Sequence, residues 1–283
     1  MSQIRVFEKI SDWLELRRSE VFQGKSLGFV PTMGALHAGH LKLMENSLQE
    51  NTYTVVSIFV NPLQFGPKED FSKYPRPFEK DLELCRNIGV TIVFAPEAKD
   101  FYTEDHSTYC EVEGLDRYLC GAARPGHFKG VCTVVLKLFN LIQPHRAYFG
   151  QKDIQQALIL KKMVEDLSLD LEMKIIPTVR EVSGLALSSR NLYLSEEEKI
   201  RATSLYRSLQ LAEQAYAKGE RQVAKIKAMM QTEILASNPT RIDYVEMVSQ
   251  RTLAPIEKIE GPIAIAVAVF YGNTRLIDNI LLG

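Results

Sequence analysis

The sequence predicts an α/β protein with two domains: a parallel-sheet domain over residues 1–178 and a smaller α+β domain over residues 179–283. In the first part, short apolar runs rich in β-branched residues alternate with stretches long enough for helices, which is typical of βαβ units and a parallel sheet. Beyond about residue 178, two amphipathic helical patterns are followed by three strand-like runs, which is typical of an antiparallel meander. The length of 283 residues is also at the upper end for a single core, which rarely exceeds ~250 to 300 residues.

The apolar runs of the first domain predict its strands, at residues 27–30, 55–60, 90–95, 147–149 and 175–179. Apolar side chains at helical spacing follow the first strand, at Leu41, Met44 and Leu48, and a second such face precedes the fourth strand, within residues 134–142. The connection 61–77 contains four prolines and is too long for a simple turn in a compact α/β domain. We therefore expect this loop to form part of a site.

The second domain begins with a helix-start signal. Ser195 is followed three residues later by Glu198, which predicts a capping box and a helix running through residues 205–212. A second helix is predicted over 220–236, and strands over 242–248, 263–271 and 275–281, the last two joined by a two-residue hairpin turn at 272–273. Within 263–269 large apolar residues alternate with alanines, so one face of that strand should lie against closely approaching structure.

Charge and composition exclude several classes of protein. With 34 basic and 35 acidic residues the formal net charge is -1, which provides no broad positive field for a nucleic acid backbone. The four cysteines form no C-x-x-C pair and predict free thiols in a reducing compartment. The N-terminus lacks the apolar region of a signal peptide, and the longest apolar run, 263–271, is far shorter than the ~20 residues of a membrane span. We therefore expect a cytoplasmic protein that binds neither nucleic acid nor membrane.

A strand-turn-helix junction at residues 29–40 is the strongest candidate for a nucleotide site. Neither a P-loop nor a G-x-G-x-x-G fingerprint is present in the sequence. Gly34 and Gly39 permit close backbone approach, and we expect the following helix to present its N-terminus, with free N–H groups, to an anion. His37 and His40 should face the same side of the first helical turn, where each ring can donate an N–H to a phosphate oxygen. For either histidine alone, local capping or packing is the simpler reading, and a zinc site is disfavoured because no third ligand lies nearby.

The H-x-G-H element at residues 37–40 resembles that of the nucleotidylyltransferase superfamily. Further stretches narrow the resemblance; in order they are NPLQF at 61–65, YPR at 74–76, RPGHF at 124–128, FGQKD at 149–153 with QQ at 155–156, and GLALSSRN at 184–191. Together these motifs are similar to those of the pantoate–β-alanine ligase family over essentially the whole chain. The departures are small: Pro77 replaces a common threonine, Ser183 a common aspartate and Leu187 a common methionine.

The resemblance implies a Rossmann-like ATP- and pantoate-binding domain, a small lid domain, a homodimer and a two-step reaction. Pantoate attacks the α-phosphorus of Mg-ATP to give pantoyl adenylate and pyrophosphate; the amine of β-alanine then attacks the acyl carbon, releasing AMP and pantothenate. Positioning and neutralisation of spreading negative charge are the main demands of the first step. The substrate ATP and Mg²⁺ are therefore the expected ligands, together with pantoate and β-alanine.

The resemblance also assigns residues. It implies catalytic roles for His40, as proton donor, for His37 and for Lys152, whose ammonium can reach the phosphates. The implied ATP-binding residues are Met33, Gly34, Ala35, Leu36, His37, Ala38, Gly39, His40, Gly150, Gln151, Lys152, Asp153, Val179, Leu187, Ser188, Ser189 and Arg190. The implied pantoate and β-alanine residues are Gln64, Gln156 and Asn61, whose amides offer both a donor and an acceptor.

Alternatives stay open at several points. Lys152 could be an exposed surface lysine, Asp153 could bind ribose or cap the following helix, and Asp81 is a possible magnesium ligand, so the metal site is left unassigned. The second candidate function is another small-molecule nucleotidylyltransferase of the H-x-G-H superfamily. A third, an RNA-binding relative of the class I tRNA synthetases, is disfavoured by the balanced charge.

Overall fold

The chain divides into two compact units in a computed structural model that describes residues 4–66, 69 and 71–283. The first unit comprises Met1–Glu113, Arg124–Gly150 and Ile159–Ile176, and the second comprises Gly114–Ala123, Gln151–Leu158 and Pro177–Gly283. The sequence places its boundary at residue 178 and assigns residues 114–123 and 151–158 to the first domain. By their contacts both of these segments group with the second unit.

The first unit is built on a six-stranded sheet in the order β1-β4-β3-β2-β5-β6, and every neighbouring pair of strands in it is parallel. Its strands are β1 (Arg5–Phe7), β2 (Leu27–Thr32), β3 (Tyr53–Ile58), β4 (Ile92–Phe94), β5 (Arg146–Gly150) and β6 (Glu172–Ile176). The predicted α/β class is confirmed. Because parallel neighbours end at the same edge, the loops that follow β2 and β3 leave the sheet together.

Helices α1 to α7 connect these strands. They are α1 (Ile10–Arg18), α2 (Ala38–Glu50), α3 (Phe78–Ile88), α4 (Ala98–Phe101), α5 (Leu119–Ala123), α6 (His127–Ile142) and α7 (Ile154–Asp166). Val30 of β2 and Val56 of β3 share a buried core with Met44 of α2, as the helical spacing around that methionine predicts.

Two details of the sheet differ from the prediction. Strand β1 is additional, since three residues carry no readable alternation, and it pairs in parallel with β4 over Arg5–Phe7. The strand predicted at 175–179 is displaced, because β6 pairs with β5 over Glu172–Ile176 and ends before Pro177, which has no amide hydrogen for a ladder.

The second unit contains three further helices and a three-stranded antiparallel sheet in the order β7-β8-β9. These elements are α8 (Glu196–Ala202), α9 (Ser204–Ala217), α10 (Val223–Ala236), β7 (Arg241–Ser249), β8 (Ile263–Tyr271) and β9 (Thr274–Leu282). The capping box of Ser195 and Glu198 is confirmed, and Tyr271 pairs with Thr274 across the two-residue turn. The alternating alanines of β8 are buried, as are the large residues between them.

The single helix predicted to begin at the Ser195 cap and run through residues 205–212 is divided into α8 and α9, so this prediction was wrong about its continuity. At Thr203, between α8 and α9, the hydroxyl donates to the carbonyl of Ile200 at 2.6 Å, and the amide of the same residue donates to that carbonyl at 3.3 Å. A threonine that bonds to the preceding turn in this way competes with regular helical hydrogen bonding.

The predicted site loop 61–77 contains two short 3-10 turns, Pro62–Gln64 and Phe71–Lys73. Pro67, Lys68 and Asp70 of that loop lie outside the described residues. None of the described helices has the length and apolar character to cross a membrane.

Candidate functional site

The junction between β2 and α2 turns through two residues in the left-handed backbone region. Gly34 has φ +78° and Ala35 has φ +50°. A Cβ on Gly34 would lie 2.9 Å from a carboxylate oxygen of Asp81, so glycine is required there by space as well as by conformation. Ala35 adopts the same region at a cost of order 1 kcal/mol, which surrounding contacts must offset.

Asp81 of α3 supplies those contacts. Its two carboxylate oxygens accept the amides of Ala35 and Leu36, each at 2.8 Å, and the side chain is only 1% exposed. Burial raises the pKa of this carboxyl above its usual value, against the opposite effect of the two amide hydrogen bonds. Burial, together with the Asp81 charge, also raises the pKa of the neighbouring Cys85 thiol to about 12. Asp81 therefore braces the loop from beneath.

His37 and His40 form a reciprocal cap at the start of α2. The Nδ1 atom of His37 accepts from the Gly39 amide at 3.1 Å, and Nδ1 of His40 accepts from the His37 amide at 3.3 Å. In each neutral ring the proton is therefore on Nε2. The ring centroids are 4.1 Å apart. Both histidines therefore have the tautomer that donates through Nε2. The simpler interpretation, in which one histidine caps the helix, also holds, since His37 is the N-cap of α2.

Five backbone amides of the loop between β2 and α2 are hydrogen-bonded within the protein, which the sequence did not predict. A helix N-terminus was expected to offer free N–H groups to an anion, but the amides of Gly34, Ala35, Leu36, His37 and Gly39 all donate to protein side chains. Gly39 is required because a Cβ there would lie 2.8 Å from the imidazole of His37. These five amides are therefore already paired with acceptors inside the protein.

Gln64 and Asn61 lie together after β3. Asn61 is 1% exposed and donates through Nδ2 to Oε1 of Gln64 and to the carbonyl of Gly130, both at 3.1 Å. Its Oδ1 accepts from the Leu63 amide and the Tyr102 hydroxyl. Both hydrogens and both lone pairs of the Asn61 amide are thereby used inside the protein. Asn61 orients Gln64, whose Nε2 lies 2.9 Å from the sulfur of Met33.

The main chain of Gln64 is held by three linked side chains, His127, Arg124 and Glu69, to which the sequence had assigned no role. Nδ1 of His127 donates to the Gln64 carbonyl at 2.8 Å, since Nε2 of that ring accepts from Arg124 at 2.8 Å. Arg124 in turn forms a bidentate pair with Glu69 at 2.6 and 2.7 Å. The hydrogen bond from Arg124 and the charge of that guanidinium lower the pKa of the Glu69 carboxyl. The motif at residues 124–128 contains Arg124 and His127, but no role for either side chain could be predicted from it.

In the second unit, the candidate residues after β5 follow Gly150, the last residue of that strand. Gln151, Lys152 and Asp153 form a 3-10 turn that leads directly into α7. Gln156 lies on the first turn of this helix and is partly buried. Its neighbour Gln155 is buried and holds residues 115–121, donating to the carbonyls of 115 and 118 and accepting the amides of 120 and 121.

The candidate segment 179–190 is folded back on itself. The amide of Leu187 donates to the Val179 carbonyl at 2.9 Å, and the hydroxyl of Ser188 accepts the amide of Arg190, which caps the 3-10 turn Ser189–Tyr193. Arg180 anchors the segment through a bidentate pair with Asp278, at 2.6 and 2.9 Å.

One cavity of the second unit collects several of the predicted phosphate-binding residues. Lys152, Ser188 and Arg190 line it, with Arg275 and Asp278 of β9. The structure therefore brings together residues from the two predicted ATP segments of this unit, which are far apart in the sequence. Lysine and arginine in one concave site are suited to binding phosphate oxygens.

The described residues contain no group of three or more histidine, cysteine, aspartate or glutamate side chains placed to hold a metal ion. Asp81, the candidate considered from the sequence, uses both carboxylate oxygens on backbone amides. The residues present therefore do not form a metal site of their own around Asp81.

Comparison with known proteins agrees with the motifs. The family model for pantoate-β-alanine ligase matches residues 4–281. A pantothenate synthetase of Fervidobacterium nodosum is 53% identical over 279 residues, which is 99% of both chains. The crystal structure of pantothenate synthetase from Thermus thermophilus matches with a TM-score of 0.91 at 44% identity, covering 98% of this chain and 99% of that chain. Pantoate-β-alanine ligase from Francisella tularensis, solved as a complex with β,γ ATP and β-alanine, matches with a TM-score of 0.77 at 31% identity over 99% of this chain and 98% of its own. The resemblance seen in the motifs is confirmed, and this chain belongs to the pantoate-β-alanine ligase family.

Proposed function

We propose that this protein joins pantoate to β-alanine at the expense of ATP, through pantoyl adenylate. A pantoate carboxylate oxygen attacks the α-phosphorus, the bond from that phosphorus to pyrophosphate breaks, and pyrophosphate leaves. The amine of β-alanine then attacks the acyl carbon; the new C–N bond replaces the C–O bond to AMP, and the amine proton passes to water. The observation that carries the proposal is the family match over residues 4–281, and the ligands of the Francisella tularensis relative support it.

The roles of the first-unit residues follow from their hydrogen bonds. His40 and His37 donate through Nε2 to phosphate oxygens as negative charge spreads in the first step, because their Nδ1 atoms already accept backbone amides. Gln64 binds pantoate and β-alanine through its amide, and Asn61, of the same predicted substrate pocket, orients that amide. Neutral donors suit a hydroxy acid whose carboxylate must stay nucleophilic.

The second unit supplies the cations and the remaining contacts. Lys152 and Arg190 neutralise phosphate charge, Ser188 and Ser189 donate hydroxyls, and Gln156 binds pantoate. Mg²⁺ enters with ATP as part of the substrate, its ligands being phosphate oxygens and water, since the carboxylate of Asp81 is committed to the backbone. A homodimer and a cytoplasmic location remain predictions, the first of which light scattering on the purified protein measures directly.

The deciding experiment is exchange of labelled pyrophosphate into ATP with purified protein. We expect exchange that requires pantoate and does not require β-alanine, because the first step reverses on its own. Absence of exchange from protein that melts cooperatively would refute the proposal. A thermal-shift panel of pantoate, phosphopantetheine and nicotinate mononucleotide separates this ligase from another nucleotidylyltransferase, which would be stabilised by one of the latter two.

Two variants test the roles. Lys152→Ala is compared with Lys161→Ala, an exposed lysine on the following helix. His40→Gln keeps a side chain that can accept the His37 amide in the capping box but lacks the imidazole donor. We expect Lys152→Ala and His40→Gln each to lower the exchange rate by about 10², with melting temperatures close to wild type and with Lys161→Ala unchanged. Near-normal exchange in both variants contradicts these roles.

A further inference from the structure

Two consecutive polar residues of the edge strand β9, Asp278 and Asn279, are each only 2% exposed. Polar side chains this deeply buried are costly unless they are fully hydrogen-bonded. The amide of Asn279 donates through Nδ2 to the carbonyl of Gln151 at 2.9 Å and to the carbonyl of Lys152 at 3.0 Å. Its Oδ1 accepts from Nε2 of Gln151 at 3.3 Å. One side chain therefore holds two successive peptide units of the segment that carries Lys152.

This contact fixes the direction in which Lys152 leaves the backbone. Two carbonyls bound by the two hydrogens of one rigid amide cannot rotate independently, so the peptide planes on either side of the Lys152 α-carbon are set. Lys152 lines the cavity that Ser188 and Arg190 also line. The two donors come from a residue 128 positions away from Gln151, so the constraint is a tertiary one and not part of the local turn.

The opposite face of β9 holds the other predicted phosphate-binding segment, residues 179–190, through Arg180. Consecutive side chains of a strand point to opposite faces, and Asp278 forms the bidentate pair with Arg180. Arg180 also donates to the Gly184 carbonyl at 3.2 Å, so it ties both ends of the turn that precedes Ser188. The two candidate ATP segments of this unit are thus held by neighbouring residues of one strand.

We infer that Asn279 is a positioning residue for the adenylation step, which sets the Lys152 ammonium against the ATP phosphates by holding the Gln151 and Lys152 carbonyls. The inference rests on the proposed function. Asparagine is unfavourable in strands, and burying its polar side chain costs free energy, so Asn279 does not stabilise β9 itself. Its amide geometry, with two donors on one nitrogen, is what the two carbonyls need.

The test is a double-mutant cycle between Asn279 and Lys152, read as the dissociation constant of ATP by calorimetry. Asn279→Asp keeps the shape but turns a carboxylate oxygen toward the two carbonyls. The matched control is Asn273→Asp, the same change at an exposed position in the turn that leads into β9. We expect Asn279→Asp to weaken ATP binding about 10-fold, within the usual coupling of residues that act through one another, and Asn273→Asp to leave it unchanged.

In the Lys152→Ala background, Asn279→Asp should weaken ATP binding less than about 2-fold, because the group it positions is gone. An equal loss with and without Lys152 would mean that Asn279 only supports the fold, and would overturn the inference. Asn279→Ala, which adds no charge, takes the place of Asn279→Asp if the latter does not melt cooperatively, with the same expectations.

The wild-type protein separates failure of this inference from failure of the proposed function. If pantoate-dependent pyrophosphate exchange is absent in the wild type, the proposed function is wrong and the inference falls with it. If exchange is present and Asn279→Asp binds ATP as tightly as the wild type does, only the positioning role is refuted.

Discussion

Replacing the buried carboxylate of Asp81 tests whether the H-x-G-H loop is held from beneath. Asp81→Ala removes the acceptors of two amides, those of Ala35 and Leu36, which lie 2.8 Å from the carboxylate oxygens. The site is 1% exposed, so water has little access to replace them. A buried amide without a partner costs about 1–3 kcal/mol, and two of them give about 2–6 kcal/mol of lost unfolding free energy.

Asp81→Asn should cost less stability than Asp81→Ala. The asparagine amide retains one acceptor oxygen, so one of the two amides keeps its partner while the other faces an NH₂ group. We expect a loss of about 1–3 kcal/mol, partly offset because burial of the charge, which raises the pKa of Asp81, is relieved. The order of stability should be wild type, then Asp81→Asn, then Asp81→Ala.

Urea unfolding measures both losses, with Glu83→Gln on the exposed face of the same helix as the matched control. Because the left-handed Ala35 depends on this brace, the KM for ATP should rise in the same order, while Glu83→Gln changes neither quantity. If Asp81→Ala is no less stable than Glu83→Gln, the carboxylate does not hold the loop. If stability falls but the KM for ATP does not change, the loop does not position the nucleotide.

Three further outcomes are expected. His127→Phe removes the donor to the Gln64 carbonyl and should raise the KM for pantoate about tenfold with the KM for ATP unchanged; steady-state kinetics showing equal changes in both would contradict the positioning of Gln64. The pKa of Glu69 is lowered mainly by the hydrogen bond from Arg124. Glu69 therefore stabilises the folded state above its ordinary pKa of 4.5, and this stabilisation is lost as the pH falls through the lowered pKa. The unfolding free energies of wild type and Glu69→Gln, measured with urea, should therefore differ by about 1 kcal/mol at pH 7 and converge in acid; a difference that stays constant from pH 7 to 3 would contradict this role of Glu69. Asp278→Asn leaves the guanidinium of Arg180, a side chain that is 16% exposed, without its charged partner and should cost about 3–5 kcal/mol in urea unfolding. Asp243→Asn, in a more exposed pair, should cost about 1 kcal/mol or less; equal losses would show that burial is not the cause.

Much of the fold could be predicted because its signals are local. Strands β2 and β3 are apolar runs with β-branched residues, and the cap at Ser195 depends on a residue three positions away. The three-residue strand β1 and the break at Thr203 could not be predicted. Strand β1 depends on pairing with β4, far along the chain, and the break depends on a hydroxyl that bonds to a backbone carbonyl of the preceding turn instead of to solvent.

The candidate site divides in the same way. The two histidines and the glycines around them could be predicted, because turn chemistry and helical spacing are readable in one sequence. The tautomer of those histidines could not be predicted, because it depends on which backbone amide donates to each Nδ1 atom. The expectation of free loop amides failed for a similar reason, because the acceptor for two of them is Asp81 on another helix.

Four side chains whose hydrogen-bond partners could not be predicted from the sequence share one physical property. Asn61, Asp81, Gln155 and Asn279 are buried polar side chains whose partners are largely backbone amides and carbonyls. Backbone amides and carbonyls are the same in nearly every residue, so no sequence motif marks a contact with them. The polar residue alone therefore resembles any surface residue. An apolar replacement of similar size would leave those backbone groups buried without partners, at about 1–3 kcal/mol for each group. Since a strand or helix has no need of such a residue for its own stability, a fully hydrogen-bonded amide or carboxylate in the interior marks a segment whose position must be held, and each of these four residues lies beside a predicted ligand-binding segment.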